Sequence, residues 1–429
     1  MKFYSTNNKD YRVSFRDAVV EGLPSDNGLF FPESIPGLSS EFLNNLKSYS
    51  LPEIGREVMS PYTEEDIPSD ILMSILEETL NFEIPLVPVD ANIMALELFH
   101  GPTMAFKDVG ARFLARCLGY FAVAADQKVT VLVATSGDTG SAVGHGFLNV
   151  PNVDVVILYP SGKVSPLQEK QLTTLGNNIT ALEIAGNFDD CQAMVKKAFL
   201  DNGLRRKMHL TSANSINVAR WLPQSVYYFW AAAQVQEGKK LIISVPSGNY
   251  GNLTAGLLAK KMGLPIEHFI AASNANRIIP DYLQTGNFKP APSIATLSNA
   301  MDVGNPSNFP RLLEVYNKEF KNIKSQISGA SFSDEDISNI IRDVYQSSGY
   351  LLDPHGAIGY LALLNFEFGY NEVGIFLETA HPGKFDEVMN HILDFQISLP
   401  ERLNERINMK KQAIQLPVEY AAFHDWLIK

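Results

Sequence analysis

The sequence predicts an α/β chain: mostly parallel sheets covered by helices, behind a helical N-terminal domain. Three observations lead there. From about residue 91, short apolar runs alternate with helical patterns. The runs are apolar throughout rather than at every second position, as expected of strands covered on both faces. Each is followed by a turn rich in glycine and hydroxyl residues, where α/β folds collect ligands. The first 90 residues carry short helical patterns separated by turns such as Gly22-Leu23-Pro24 and Phe31-Pro32, with sparse strand signals.

In order, Val129–Ala134 reads as a strand, followed by a Ser-Gly turn and a helix over Ala142–Leu148. Val153–Leu158 is a second strand, with Ser161-Gly162 and a helix through Leu172 after it. Leu241–Val245 precedes a third such turn and a helix over Leu253–Lys261. His268–Ala272 and Val373–Leu377 complete the set. Trp221–Val235 reads as one buried helix, and Pro290–Pro310, rich in Pro, Ser, Asn and Gly, as a long functional or mobile loop. Pro310–Phe320 and Ser333–Tyr345 are helical, and the tail ends in an aromatic-containing helix. The pattern divides the chain at about 1–90, 91–240 and 241–429, the last two parts being interleaved α/β units.

Bulk properties exclude several classes. A net charge of -12 over 429 residues leaves no basic stripe for nucleic acid. No apolar run approaches the roughly 20 residues of a membrane span, and Met1–Tyr11 lacks the apolar core of a signal peptide. Cys117 and Cys191 have no metal-ligand spacing, which points to a reducing cytoplasm and to no metal site.

The chemistry centres on Lys107, in Phe99-His100-Gly101-Pro102-Thr103-Met104-Ala105-Phe106-Lys107-Asp108. A lysine between Ala105-Phe106 and an Asp-Val-Gly turn reads as a partly desolvated amine, able to form a Schiff base. Two donor-rich turns lie downstream. Thr135-Ser136-Gly137-Asp138-Thr139-Gly140, between strand and helix, suits a carboxylate or phosphate, and equally an ordinary capped turn. Ser247-Gly248-Asn249-Tyr250-Gly251-Asn252 has two glycines that let amides approach a phosphate; it is neither a P-loop nor a dinucleotide fingerprint. Lysine and turns together describe a pyridoxal-phosphate enzyme. Thr379, after the last strong strand, would place an uncharged hydroxyl beside a pyridine nitrogen. Ser215, Asn217 and Arg220 open a helix, and the Arg220 guanidinium suits a phosphate. Lys163 reads as a surface cation, and His381 and Lys384 as strand-end and helix-cap residues.

These blocks resemble the threonine synthases. The Lys107 block is similar to that family's cofactor-lysine motif, and the two turns to its substrate and phosphate loops. Ser212–Asn217, Leu297–Gly304, Thr379-Ala380-His381-Pro382, Val13-Ser14-Phe15 and Asp26–Pro32 also match. The resemblance spans nearly the whole chain, including the N-terminal domain of the longer, bacterial and fungal form. It implies a fold-type II pyridoxal-phosphate lyase, tryptophan synthase β-like, that turns O-phospho-L-homoserine and water into L-threonine and phosphate. By matching position, Lys107 would hold the cofactor, Gly248, Asn249, Tyr250 and Gly251 its phosphate, and Thr379 its ring nitrogen. Ser136, Gly137, Thr139 and Gly140 would take the substrate carboxylate, and Ser215, Asn217 and Arg220 its phosphate. Asp138 stands among the cofactor contacts where the wider group usually has asparagine; its role is open. The resemblance further implies a monomer. The alternatives are a dehydratase or phospho-lyase of the same fold, or a catalytically silent amino-phosphate-binding relative.

Overall fold

The computed structural model describes residues 1–135 and 137–429; Ser136, one of the expected carboxylate contacts, lies outside the described residues. Two sheets dominate. A five-stranded, all-parallel sheet takes the strands in the order Ile414–Leu416, Ile179–Ile184, Val153–Pro160, Val129–Ala134, His209–Ser212. A six-stranded sheet runs Ile327–Ser331, Ile266–Ser273, Lys240–Pro246, Glu372–Glu378, Ile93–Glu97, Leu86–Asp90, parallel except at its last pair.

Continuous apolar runs are explained by cover on both faces. In Val129–Ala134 every residue is buried: Val131 and Val133 face the central core, while Leu132 and Ala134 face a second cluster with Cys191, Met194 and Phe423. The six-stranded sheet repeats the scheme, with Ile243 and Val245 in the central core and Ile242 and Phe376 against Ile337, Ile341 and Ile358. The sheets also exchange chain: Leu86–Glu97 joins strands from the C-terminal part, and Ile414–Leu416 joins the central part.

Short strands escaped the sequence pattern. The N-terminal segment holds not only the helices Phe15–Glu21, Leu51–Thr63 and Ser69–Thr79 but also an antiparallel sheet of Arg12–Val13, Phe3–Ser5 and Phe30–Pro32. Strands of two or three residues are too short for a period to register. Two expected helices are interrupted. Trp221–Val235 becomes Val218–Trp221, a 3₁₀ turn Leu222–Ser225 and Val226–Gln234, Pro223 lacking the amide a continuous α-helix needs. Pro310–Phe320 breaks where Asn317 and Lys318 turn to φ 51° and 64°, leaving Phe309–Val315 and Phe320–Gln326.

Candidate active site

Lys107 opens the helix Lys107–Ala124, and the loop before it is tied to the segment that follows Glu372–Glu378. The Phe106 amide donates to the Thr379 carbonyl (2.8 Å), the His381 amide to the Met104 carbonyl (3.0 Å), and Ala105 bridges Ala380. Lys107 and Thr379 are thereby set side by side. Glycines allow the rest of the approach. A side chain at Gly110 would sit 2.5 Å from the Arg220 carbonyl, and one at Gly146 3.1 Å from the Ala111 backbone. The lysine helix can therefore press against both Val218–Trp221 and Asp138–Phe147.

The Lys107 Nζ lies 3.6 Å from Asp138 Oδ2. Burial lowers its pKa, the Asp138 carboxylate opposes that, and the cations of Lys384 and Arg220 lower it further. Lys384 is a correction to the sequence reading. Rather than capping a helix at the surface, it is buried, with its Nζ 2.6 Å from Asp138 Oδ1 and donating to the Thr103 carbonyl at 2.8 Å. Gln168 Nε2 donates to the same Asp138 oxygen (2.9 Å). Burial alone would push the Asp138 carboxyl up; Lys384, Lys107 and these hydrogen bonds outweigh it and hold the group well below the usual carboxylate range. Asp108 is also buried and accepts from the Thr103 amide and hydroxyl.

Arg220 is buried too. Its Nη1 donates to the Ala213 carbonyl, whereas its Nε has no partner among the described residues. Burial brings its pKa down to about 10, opposed by Asp108. Of its two sequence companions, Ser215 is half-buried and lines a cavity of about 950 Å³ together with Asn214, Asn249 and Ser307. Asn217 departs from expectation. It N-caps Val218–Trp221, and its amide nitrogen is spent on the Val19 and Ser212 carbonyls. Lys163 is exposed, as read.

The two turns differ in how their donors are used. In the first, the amides of Gly137 and Gly140 donate to Thr135 Oγ1 at 3.0 and 2.8 Å. Gly137, at φ 143°, packs so closely on Gln168 that a side chain would meet it at 2.6 Å. Thr139 is half-buried beside them. In the second, Tyr250 takes the left-handed conformation (φ 59°) before the helix Gly251–Lys261 and turns its hydroxyl away to Ser273. The Ser247 Oγ and Asn252 Nδ2 are buried without a partner among the described residues, although Asn252 Oδ1 accepts from Tyr227 and Tyr228.

The long loop proves to be a buttress for this second turn. A side chain at Gly248 would lie 2.8 Å from the Met301 Cα and one at Gly251 3.2 Å from the Asn308 amide. Ser307 donates to Asn249 Oδ1. Behind them Arg311, fully buried, gives its hydrogen bonds to Asn308 Oδ1 and the carbonyls of Phe30, Ser215 and Ile216. It stacks 4.6 Å from the Trp221 ring. The N-terminal sheet, the Ser215 segment and, through Asn308, the loop that buttresses the second turn thus meet on one guanidinium.

Comparison with known proteins settles the kinship. Residues 2–80 match the family described as threonine synthase N terminus, and residues 83–372 that of the pyridoxal-phosphate dependent enzymes. The chain is 46% identical to threonine synthase of Haemophilus influenzae over the whole of both chains. It belongs to the threonine synthase family. The solved threonine synthase of Escherichia coli, 43% identical, superposes with a TM-score of 0.93, covering 100% of this chain and 99% of the other. The pyridoxal-phosphate-bound threonine synthase of Brucella melitensis, 35% identical, superposes with a TM-score of 0.94, covering 100% and 98%. The fold is accordingly fold-type II, and the activity that of a threonine synthase, a pyridoxal-phosphate-dependent lyase.

The residues fit the threonine synthase cofactor. Ser247 Oγ and Asn252 Nδ2 are buried donors left for a ligand, at the start of an eleven-residue helix whose free amides favour an anion. The Lys107 side chain keeps 17% exposure, against 4% for Asp138 and 1% for Lys384, so it is the most open of the three side chains. Lys384, Asn308 and Arg311 carried no sequence signal of their own. Each is defined by partners far along the chain, and the loop itself was marked by its length and composition and by the Leu297–Gly304 motif. Among the described residues no helix is long and apolar enough to cross a membrane, and no group of His, Cys, Asp and Glu could hold a metal ion.

Proposed function

We propose that the chain converts O-phospho-L-homoserine and water to L-threonine and phosphate, with Lys107 holding the cofactor and moving protons at the substrate. The observation that carries this reading is the placement of the Lys107 amine, beside the Thr379 segment and 3.6 Å from Asp138, where burial lowers its pKa and favours the free base that can attack a carbonyl or take a proton. When bound, the cofactor supplies an electron sink for charge developed on the substrate carbons. The chain's own residues then have separable tasks. The Lys107 Nζ takes the α proton and returns protons as the amine cycles. The amides of Gly248, Asn249, Tyr250 and Gly251 hold the cofactor phosphate, with Ser247 and Asn252 adding the buried donors noted above. Thr379 offers the ring nitrogen a neutral hydroxyl.

Substrate binding follows its two anionic ends. Thr139, at the start of Asp138–Phe147, orients the carboxylate, Gly137 and Gly140 shaping the turn with amides that already donate to Thr135 Oγ1, and Ser136 is assigned by motif alone. Arg220 and Ser215 hold the phosphate; the unpartnered Arg220 Nε supports this. Asn217 positions their segment instead of touching substrate, because its side chain is already spent. A monomer is proposed from the resemblance to the longer form of the family, and a cytoplasmic location because Cys117 and Cys191 are buried free thiols. The three-part division at 1–90, 91–240 and 241–429 is proposed with the strand exchanges described above.

The test is the visible spectrum of purified protein before and after O-phosphohomoserine, with phosphate and threonine assayed together. Equal amounts of both products, and a band lost in Lys107→Ala, are expected. Phosphate accompanied by 2-oxobutanoate would replace the reading with the phospho-lyase alternative; no band with added pyridoxal phosphate would remove Lys107 from its role.

A further inference from the structure

Two lysine amines share one carboxylate, and the closer one is not Lys107. Lys384 sits 2.6 Å from Asp138 Oδ1, Lys107 3.6 Å from Oδ2. Lys384 is locked: it also donates to the Thr103 carbonyl, and Thr103 in turn is held by Asp108. Gln168 adds a neutral hydrogen bond to the oxygen that Lys384 holds. Around Lys107 the charged groups are Asp138, Lys384 and Arg220; around Lys384 the titratable groups are Lys107, Asp138, Asp108 and the imidazoles of His145 and His381, whose burial favours their neutral forms.

We propose that Lys384 is a positioning residue that engages Asp138 more tightly than Lys107 does, so that Lys107 is oriented by the carboxylate without being held as its ammonium partner. A buried carboxylate with a single cation draws that cation into direct contact and stabilises its proton. An ammonium can neither attack a carbonyl nor accept a proton. With Lys384 in place the carboxylate is already neutralised, and Lys384 repels a second proton at Lys107. It also crosslinks the Thr103 loop, the Asp138 turn and the Thr379 segment, which come from both large sheets. The inference rests on Lys107 being the cofactor lysine.

The test uses holoenzyme variants at Lys384 and follows the pH midpoint of the visible band that reports protonation at the Lys107 nitrogen. Lys384→Gln keeps a hydrogen-bonding side chain without charge, Lys384→Met removes both, and Lys384→Arg keeps the charge. The midpoint should rise by about one unit in both neutral variants and stay near wild type in the arginine variant. The kcat for threonine release should fall at least about tenfold in the neutral variants, with KM for O-phosphohomoserine changing far less. Gln168→Leu removes the neutral hydrogen bond alone and should leave the midpoint in place. Unchanged midpoints in folded Lys384→Gln and Lys384→Met would overturn the proposal and leave Lys384 a structural crosslink. Should neither neutral variant fold, a Lys384→Arg midpoint displaced by a full unit overturns it and an unmoved one supports it. A wild-type protein with no band at all would instead refute the underlying Lys107 reading.

Discussion

Asp138 and Glu378 are both buried carboxyls, and their surroundings push their pKa values in opposite directions. Asp138 opens the helix after Val129–Ala134; Glu378 ends the strand that leads into Thr379. Both are shielded from solvent. Two lysines meet Asp138 and keep it ionised. No cation meets Glu378 among the described residues. Its Oε1 accepts the Asp353 amide at 2.6 Å, its Oε2 has no partner, and Gly356 leaves it room, since a side chain there would lie 1.5 Å away. Burial, reinforced by the Asp353 carboxyl, raises its pKa well above the ordinary carboxylate value. Equal burial therefore does not set charge; the groups delivered by other segments do.

The contrast has measurable consequences. Asp138→Leu should be the most damaging change, because it strands Lys384 in the interior without a counter-charge. A loss of about 3–5 kcal/mol in urea unfolding is expected, and a loss below about 1 kcal/mol would mean that Lys384 finds another partner. Thr135→Val, in the same turn, removes the acceptor for two glycine amides and should cost about 1–3 kcal/mol without touching either lysine.

Glu378→Gln should act through pH. In the unfolded chain this carboxyl ionises near its ordinary 4.5, while in the fold it keeps its proton to higher pH. The folded state then binds more protons between the two values. Stability contributed by the group is complete below the unfolded pKa and declines as pH rises towards the folded one. The variant should match wild type in acid and lose less stability on going to pH 8; identical slopes in the two proteins would contradict a neutral Glu378.

Ser247→Ala is expected to have the smallest effect on the fold. Its hydroxyl has no partner among the described residues, so cofactor-free stability should stay within about 0.5 kcal/mol. Cofactor affinity, read by titration of the visible band, should fall about tenfold as a charge-assisted hydrogen bond is lost. An unchanged affinity would mean that this hydroxyl does not face the phosphate.

What could be read along the chain is what short-range pattern encodes. Val129–Ala134 and Leu241–Val245 announce themselves by near-continuous apolar residues, and the turns after them by glycines and hydroxyls. Short strands such as Phe3–Ser5 and Ile414–Leu416 have too few residues for a period, and Pro223 breaks a helix whose composition reads as continuous. Lys384 shows the sharper limit. Beside Pro382-Gly383 it has the local signature of a cap, and its meaning lies in Asp138, which another sheet supplies.

The fold class, the desolvated setting of Lys107 and the two donor-rich turns were thus readable from residues near one another in sequence, because strand periodicity, turn geometry and apolar neighbours are local properties. Which sheet each strand joins, the clamp at Arg311, the diversion of Asn217 to Val19, and the division of Asp138 between two lysines came only with the folded chain. Hydrogen bonds and Coulombic pairs form between whatever the topology brings within a few ångströms, and that proximity has no signature in the neighbouring residues.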